Sequence, residues 1–338
     1  MTIKDVARHC GVSVSTVSRV LNDKSDVSDS VREKVLRAVK ALNYVPNGSA
    51  RDLVAPISDN VGVVFRGTSS QFYADIIGVI EKELSAAGYT VVIEGVRHGE
   101  DELWAGARLA RSKRLRGLVF LGGRFDYSPA DIEKLDVPFV CCTYTNRFGK
   151  LPEDSYSSVT IDDIKTGYEA AMALIDRGHR RIAVVLSDVG DRSIGDLRFM
   201  GFRKALEQRG IEFDPELLIE AGEYSMSAAR EAVESALKRG LRFSAVFAVS
   251  DTMAIAVLKA LHNMGLRVPE DCSVLGVDGM EMASYTVPSL CTFAQPTDEL
   301  GERSARVLLG MMEGSGGAEH LVLEAEFIAG GSIAAPKI

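Results

Sequence analysis

The sequence predicts a small all-α head followed by an α/β core of two doubly wound parallel-sheet subdomains. Three observations lead to this prediction. The first 46 residues carry apolar side chains at helical spacing. From residue 59 onward, unbroken apolar runs alternate with amphipathic segments, as parallel strands and their covering helices do. The charge also changes: residues 1–58 carry nine Lys or Arg against six Asp or Glu, and the remaining 280 residues carry 30 against 41.

The 338-residue chain has the composition of a globular protein, with 46% hydrophobic and 25% charged residues. No apolar run approaches about 18 residues, so we expect no membrane partner. The N-terminus lacks the apolar core of a secretory signal, and five cysteines, an odd number, argue against a disulfide framework. These features favour the reducing cytoplasm. A basic head on an acidic body indicates a nucleic-acid-binding module joined to a part that need not touch nucleic acid.

Three short helices are expected in the head. Thr2 and Asp5 have the spacing of a capping box that starts the first helix, and Gly11 ends it in a sharp turn. Ser13 is a good N-cap for the second helix, and Ser28 caps a third that runs to about Asn43. Two helices joined by a glycine turn and supported by a third form a helix-turn-helix, which places its second helix in the major groove. The alternative is a plain three-helix cap.

The head carries a more specific signal in the run TIKDVARHCGVSVSTVSRVLN (2–22), VS at 27–28 and ALNYVPN at 41–47. These residues resemble the LacI/GalR family of bacterial transcription regulators. The resemblance implies that Val14 and Ser15 discriminate operator bases and that Arg19 reads a base, since Arg commonly binds guanine. It also implies phosphate contacts, which position the protein without specifying sequence, from Thr16, Ser18 and Asn22.

Residues 47–58 are expected to link head and core. The segment has room for about two helical turns before Pro56, and so short a helix is marginal alone in water. A flexible linker is one interpretation. The resemblance implies a hinge helix, because Asn47, Ala50 and Leu53 fit the family pattern NxxARxL. Leu53 would then insert between base steps in the minor groove and kink the duplex.

Strands and helices alternate through the core, with side chains at the carboxyl ends of the strands meeting in a cleft between the two halves. Nothing there matches an enzyme motif: the first strand is followed by RGTSSQF rather than GxGxxG, and GxxxxGK[ST], GxSxG and zinc-ligand spacings do not occur. We therefore expect no catalytic residue, metal or cofactor. Strands are predicted at 61–65, 90–94, 117–122, 138–142, 158–161, 181–186, 217–221, 245–249 and 273–277, and helices at 72–87, 101–111, 163–177, 198–209, 225–239 and 252–264.

The core also resembles the periplasmic-binding-protein-like sensor core of the same family, through RGHRRIAVV (177–185), RFMGFRKAL (198–206), SDTMAIAVLKAL (250–261), SVLGVDG (273–279) and TFAQP (292–296). One departure is Gly330, where the family usually has an arginine. The expected domains are residues 1–46, the hinge 47–58 and the core 59–338. Within the core, the first subdomain takes about 59–160 and 292–324, and the second takes about 161–291 and 325–338.

A small-molecule effector is expected in the cleft. Polar residues predicted at strand ends there are Arg66, Gln71, Asp162, Arg198, Asp251 and Asp278. The resemblance places Asp162, Arg198 and Asp278 at polar effector contacts, and Phe72 and Tyr224 at pocket-lining positions. Arginine forks and carboxylates suit a polyhydroxylated ligand, and a ring packs on the apolar face of a sugar. The alternatives are that Arg198 and an aspartate form an interdomain ion pair and that Phe72 is a core residue.

Together these features predict a cytoplasmic, ligand-responsive repressor that binds a pseudo-palindromic operator as a homodimer. A dimer is expected rather than a tetramer because the last strand is followed by no leucine heptad. Two other readings stay open. A corepressor-dependent regulator would bind a nucleobase or another metabolite and would then have a higher affinity for its operator. A solute-binding protein for transport would need an export signal and no DNA-binding head.

Overall fold

The computed structural model describes residues 2–21, 27–42, 58–67, 71–97 and 99–337. Among these residues, no helix combines the length and the apolar character that crossing a bilayer requires. All five cysteines are free and buried.

The head contains the three predicted helices, α1 (Ile3–Cys10), α2 (Val14–Leu21) and α3 (Asp29–Ala41). The predicted capping box is present, since the Asp5 carboxylate accepts hydrogen bonds from the backbone N–H of Thr2 at 2.9 Å and its hydroxyl at 2.8 Å. Gly11 adopts the left-handed conformation (φ 61°) that ends α1. The helices pack on a small buried core of Val6, Ala7, Cys10, Val17, Val20, Val35 and Ala38.

The first stretch of the core forms a parallel sheet whose strands are covered by helices. Strand β1 lies between β2 and β3 and pairs with both in parallel. The elements are β1 (Asn60–Arg66), α4 (Gln71–Ala86), β2 (Thr90–Val96), α5 (Glu102–Lys113), β3 (Leu115–Leu121), α6 (Pro129–Ile132), β4 (Phe139–Cys142) and β5 (Ser157–Ile161).

The second stretch repeats the arrangement. Here β6 lies between β7 and β8 and pairs with both in parallel. The elements are α7 (Asp163–Ile175), β6 (Ile182–Leu186), α8 (Ile194–Gln208), β7 (Leu218–Glu220), α9 (Met226–Lys238), β8 (Ala245–Ala248), α10 (Asp251–Asn263), β9 (Ser273–Asp278), α11 (Glu281–Tyr285) and β10 (Cys291–Ala294).

The chain then returns to both sheets through α12 (Thr297–Met312), β11 (His320–Leu323) and β12 (Glu326–Ile328). Within the described residues the strand orders are β11-β5-β4-β3-β1-β2 and β12-β10-β9-β8-β6-β7. Both sheets are parallel apart from β12, which pairs antiparallel with β10. The predicted fold class, a helix-turn-helix head and two doubly wound subdomains, is therefore confirmed.

Two boundaries differ from the prediction. The crossing expected between 291 and 292 falls inside β10, which pairs with β9, so the chain leaves the second sheet only after Ala294. Helix α8 begins at Ile194 rather than near 198, because the Ser193 hydroxyl caps it by accepting from the N–H of Gly195 at 3.2 Å.

Glycine decides two close approaches. A Cβ on Gly201 of α8 would collide with the Ile164 carbonyl oxygen of α7, and one on Gly167 of α7 with that of Arg198, so these helices pack backbone to backbone. At Gly330, a Cβ would lie 2.5 Å from the Ser289 carbonyl oxygen. The arginine usual in the family at this position has no room in this arrangement.

Candidate ligand cavity and DNA-binding helix

Helix α2 buries Val17 and Val20 and presents its other face to solvent. Val14 is 40% exposed at its first position. The Ser13 hydroxyl lies 2.8 Å from the hydroxyls of both Ser15 and Thr16 and accepts from the Thr16 N–H at 3.1 Å. The start of α2 is thus a solvent-facing cluster of hydroxyls beside one apolar side chain.

Arg19 is exposed one turn further along α2, and Ser18 is partly buried beside it. Together with the cluster at the helix start, Arg19 gives this face the charge and hydrogen-bonding groups that a DNA groove requires. The remaining predicted DNA contacts, Asn22, Asn47, Ala50 and Leu53, lie outside the described residues.

A cavity that is partly open to solvent lies between the two sheets. Its walls come from the carboxyl ends of the strands, where doubly wound folds bind ligands. Five of the eight residues predicted for the effector site line it, namely Arg66, Phe72, Arg198, Tyr224 and Asp278. Phe72 lines the cavity and also belongs to the hydrophobic core of the first subdomain.

Arg198 of α8 organises the cavity floor. Although its side chain is only 1% exposed, it donates from Nε to Asp163 at 2.8 Å and from a terminal nitrogen to the Val249 carbonyl. The Asp278 carboxylate lies 3.6 Å from the same guanidinium. These partners all belong to the second subdomain. The ion pair that was the alternative interpretation of Arg198 is therefore present, but it lies within one subdomain and not between the two. Burial opposes the charged form of Arg198, but the carboxylates of Asp163 and Asp278 outweigh it and raise the pKa of Arg198, so the guanidinium stays charged.

Asp278 ends β9 in a backbone conformation with φ 134°, which only a few non-glycine residues adopt. The Gln295 amide donates to its carboxylate at 2.8 Å. Burial raises the pKa of Asp278 to about 7, against the opposing effect of Arg198 and with a further rise from Asp251. Asp278 therefore changes charge near neutral pH on the wall of the cavity.

Three predicted effector residues lie elsewhere. Asp162 is exposed and caps α7 by accepting from the Lys165 N–H at 2.9 Å, so the cluster around Arg198 uses its neighbour Asp163 instead. Asp251 is fully buried behind the cavity. It accepts from the Thr292 hydroxyl at 2.7 Å and the Met280 N–H at 2.9 Å, and burial raises its pKa to about 6.

The third is Gln71, at the start of α4. Its amide donates to the Glu281 carboxylate at 3.5 Å, and Gln71 is not among the residues that line the cavity, although its neighbour Phe72 is. These three residues, Asp162, Asp251 and Gln71, therefore stabilise the cavity walls or the adjoining helices. Polar residues also occur at strand ends because they cap helices and hydrogen-bond the backbone of turns.

Aromatic rings supply the apolar part of the lining. The Tyr224 hydroxyl lies 2.9 Å from the Ser193 hydroxyl and accepts from the Gly195 N–H at 3.1 Å, which fixes the ring at the start of α8. Phe72, Tyr73 and Phe125 line the opposite side. Ring faces between hydrogen-bonding groups suit a ligand with hydroxyl edges and apolar faces.

Direct contacts join the two subdomains beside the cavity. The Phe125 N–H of the first donates to the Arg192 carbonyl of the second at 3.2 Å. The Arg192 guanidinium lies 3.0 Å from Asp126, which also binds Arg124 of its own subdomain at 2.9 Å. These contacts hold one relative arrangement of the subdomains in this structure.

Sequence reasoning missed much of the lining. The missed residues are Gly67, Tyr73, Gly122, Gly123, Phe125, Thr143, Ser193, Ile194, Ser250, Thr252 and Gln295. Six of these eleven lie within two positions after a strand end, so the same rule would have found those six had it been applied to small and uncharged residues.

Both the head and the core of this chain are similar to known protein families. The family described as bacterial regulatory proteins, lacI family, matches residues 2–47, and the periplasmic binding protein-like domain matches residues 171–333. The chain is 37% identical over 333 residues to the HTH-type transcriptional regulator MalR of Clostridium butyricum, which covers 97% of this chain and 98% of that protein.

Two solved structures share the whole architecture. A transcriptional regulator CelR–cellobiose complex has a TM-score of 0.73 at 32% identity, covering 98% of this chain and 99% of the other. The lac repressor dimer bound to operator and the anti-inducer ONPF has a TM-score of 0.70 at 26% identity, covering 99% of each chain. With a matching DNA-binding head, a matching sensor core and relatives aligned over nearly their full length, this chain belongs to the LacI/GalR family of bacterial DNA-binding transcriptional regulators.

Proposed function

We propose that this regulator is a repressor whose affinity for operator DNA is controlled by a carbohydrate bound between its two core subdomains. The observation that carries the proposal is the cavity itself, where aromatic rings alternate with fixed hydrogen-bonding groups from both subdomains. Similar structures in the family hold cellobiose or operator DNA, which supports a carbohydrate and an operator as the two ligands. The proposal needs no cofactor.

The proposed protein acts as a homodimer on a pseudo-palindromic operator. Two heads related by a twofold axis read two half-sites, each through the exposed face of α2. A ligand that favours one arrangement of the subdomains over another shifts their equilibrium. In a dimer this shift also changes the separation of the segments that lead to the heads.

A thermal-shift screen of the full chain tests the proposal. The panel contains pentoses, hexoses, disaccharides, sugar phosphates and nucleobases. A ligand at 100 times its Kd adds about 2.7 kcal/mol to the stability of the form that binds it. A carbohydrate hit that is lost in Asp278→Asn, which changes the cavity wall, supports the proposal.

Operator DNA selected from random sequence then fixes the direction of the response. A carbohydrate that releases the operator is an inducer of a repressor. A nucleobase that tightens operator binding would replace this proposal with the corepressor-dependent mechanism. Unchanged operator affinity with any bound ligand would reject control through the cavity.

A further inference from the structure

The charges around the cavity are more nearly balanced than its two arginines suggest. Arg198 faces the buried carboxylate of Asp163 at 2.8 Å. Arg66, at the end of β1, faces the buried carboxylate of Glu102 at 3.5 Å. Each guanidinium on the cavity wall is therefore already paired with an anion behind the wall.

Glu102 is the unusual member of these pairs. It lies in the first turn of α5 with its side chain fully buried, although glutamate is almost never buried unless it is paired. One carboxylate oxygen accepts from the Arg124 N–H at 2.7 Å, and the other has no hydrogen-bond partner among the described residues. Burial raises the pKa of Glu102 and the Arg66 guanidinium opposes that rise, so Arg66 is what favours the charged form electrostatically.

The rest of the site adds acidic rather than basic side chains. Asp278 lies on the wall and Asp251 is buried behind it. Beside the cavity, Arg192 and Arg124 share Asp126. The loop that carries Arg192 also carries Asp188 and Asp191, and Asp196 follows in the first turn of α8. A phosphate or carboxylate entering the cavity would therefore meet two cations that are already paired with carboxylates, and no further cation among the described lining residues.

We propose that Glu102 is a specificity-determining residue: by neutralising Arg66, it restricts the effector to uncharged polyhydroxylated molecules and excludes sugar phosphates and sugar acids. Arg66 then acts as a planar hydrogen-bond donor to ligand hydroxyls rather than as an anion receptor. This inference rests on the proposed binding of a carbohydrate and names its chemical class. Glu102 is behind the wall, so it acts through Arg66.

Matched ligand pairs test the inference on the full chain. Isothermal titration compares glucose with glucose 6-phosphate, ribose with ribose 5-phosphate, glucose with glucuronate, and cellobiose with cellobionate, at constant ionic strength. In any pair that binds, the neutral member is expected to bind at least about tenfold more tightly, because a second buried anion is repelled over a few ångströms.

The Glu102→Gln variant removes the neutralising charge and keeps an oxygen that can accept from the Arg124 N–H. It is expected to move the neutral-to-anionic affinity ratio about tenfold or more toward the anion. Glu299→Gln is the matched control, since it breaks an exposed pair with Arg303 on α12. If Glu102→Gln does not fold, Arg66→Gln gives a second test. The buried Glu102 then takes up a proton, because the cation that favours its charged form is gone, and the site stays neutral. The neutral-to-anionic affinity ratio is therefore expected to change by less than about threefold, and a rise of about tenfold or more would show that Arg66 had been an uncompensated cation.

Inorganic phosphate provides a test that does not depend on the effector. Titrated at constant ionic strength, it is expected to bind Glu102→Gln at least about tenfold more tightly than either the unaltered chain or Glu299→Gln. If no sugar of either kind binds, the proposed carbohydrate response fails, and the phosphate comparison still decides the role of Glu102. Equal phosphate affinity in the three proteins, or an anionic sugar preferred by the unaltered chain, would overturn the inference.

Discussion

At the scale of single residues, Arg198 is the side chain on which the cavity floor depends. A buried guanidinium is stable only when its charge is paired and its donors are used, and Asp163 and the Val249 carbonyl meet both conditions. Removing one partner of such a pair leaves the other charge buried and uncompensated. The cost of that change is therefore larger than the value of the contact itself.

The adjacent residues Asp162 and Asp163 allow a direct test. Asp163→Asn should lower the free energy of unfolding by about 3–5 kcal/mol, because the Arg198 charge loses its buried partner. Asp162→Asn should change it by less than about 0.5 kcal/mol, since asparagine is an equally good N-cap. Denaturant unfolding measures both. Equal effects at the two positions would show that the ion pair with Arg198 is not what holds the floor.

Asp278 predicts a dependence of stability on pH. Its pKa is about 7 in the folded chain and about 3.9 in an unfolded one. The stabilisation that protonated Asp278 gives to the folded chain is therefore complete below about pH 4 and is lost as the pH rises through 7. Over that range the free energy of unfolding falls by at most about 1.4 kcal/mol per pH unit. The unfolding free energy of the unaltered chain, minus that of Asp278→Asn, should fall between pH 5 and 7.

The control for this measurement is Asp271→Asn. Hydrogen bonds from Arg267 and Lys337 hold the pKa of Asp271 well below its usual range, so its contribution is constant above about pH 5. A flat difference curve for Asp278→Asn, like that of the control, would show that Asp278 is ionised throughout.

Individual residues also show which parts of the site the sequence predicts. The strand-end rule, with the resemblance, predicted Arg198 and Asp278, and both line the cavity. Asp278 ends β9, whereas Arg198 lies inside α8, the helix that follows β6. The rule placed Asp162 in the cavity in place of Asp163, because two adjacent carboxylates at a helix start differ only in which way the helix turns them. Glu102 was missed because acidic residues are common in the first turn of helices, where they interact favourably with the helix dipole, so its sequence position does not indicate a buried side chain.

At the scale of elements, the contact between α7 and α8 positions Asp163 against Arg198. Gly167 and Gly201 allow the two backbones to touch, since a Cβ at either position would collide with a carbonyl of the other helix. The spacing of the ion pair therefore depends on two residues with no side chain.

Gly201→Ala should destabilise the core by about 1–3 kcal/mol, the usual cost of overpacking. Gly78→Ala is the control: Gly78 also lies within a helix, α4, but open space surrounds it. That change should stabilise the chain by about 0.4–1 kcal/mol, because alanine reduces the entropy of the unfolded chain. Thermal and denaturant unfolding report both values. A stabilising Gly201→Ala would mean that α7 and α8 separate at no cost.

Helix α2 carries the expected base-reading residue. Arg19→Ala should weaken binding to the selected operator by about 1–3 kcal/mol and leave binding to random DNA nearly unchanged. Fluorescence anisotropy at fixed salt measures both affinities. An equal loss on the two DNAs would assign Arg19 to a phosphate rather than a base.

The elements of the core were predictable where the apolar pattern is continuous, as in β1, β3 and β6. Strands β11 and β12 were not, because they have four and three residues and leave many of their side chains exposed. The start of α8 was missed because Gly195 and Asp196 interrupt the periodic spacing of apolar residues that predicts a helix.

At the scale of the whole molecule, the two subdomains share one strand order and present the same ends of their strands to one cavity. The contact from Arg192 to Asp126 and the backbone bond from Phe125 to Arg192 join them directly. A ligand that contacts both subdomains across the cavity stabilises this arrangement and not a more open one. Such a difference in binding free energy is what a ligand needs to shift the equilibrium between two arrangements of the subdomains. The sequence predicted two halves facing each other, but not these contacts, which depend on the loop after β6.

The most direct test of control through the cavity measures the coupling in both directions. Operator affinity is measured with and without the carbohydrate found in the screen, and carbohydrate affinity with and without operator, at one salt concentration. The two ratios must be equal, because coupling between sites is reciprocal, and a factor of about 5–150 is typical. Equal ratios in that range are the predicted result. A carbohydrate that binds in the cavity and leaves operator affinity unchanged would contradict the account.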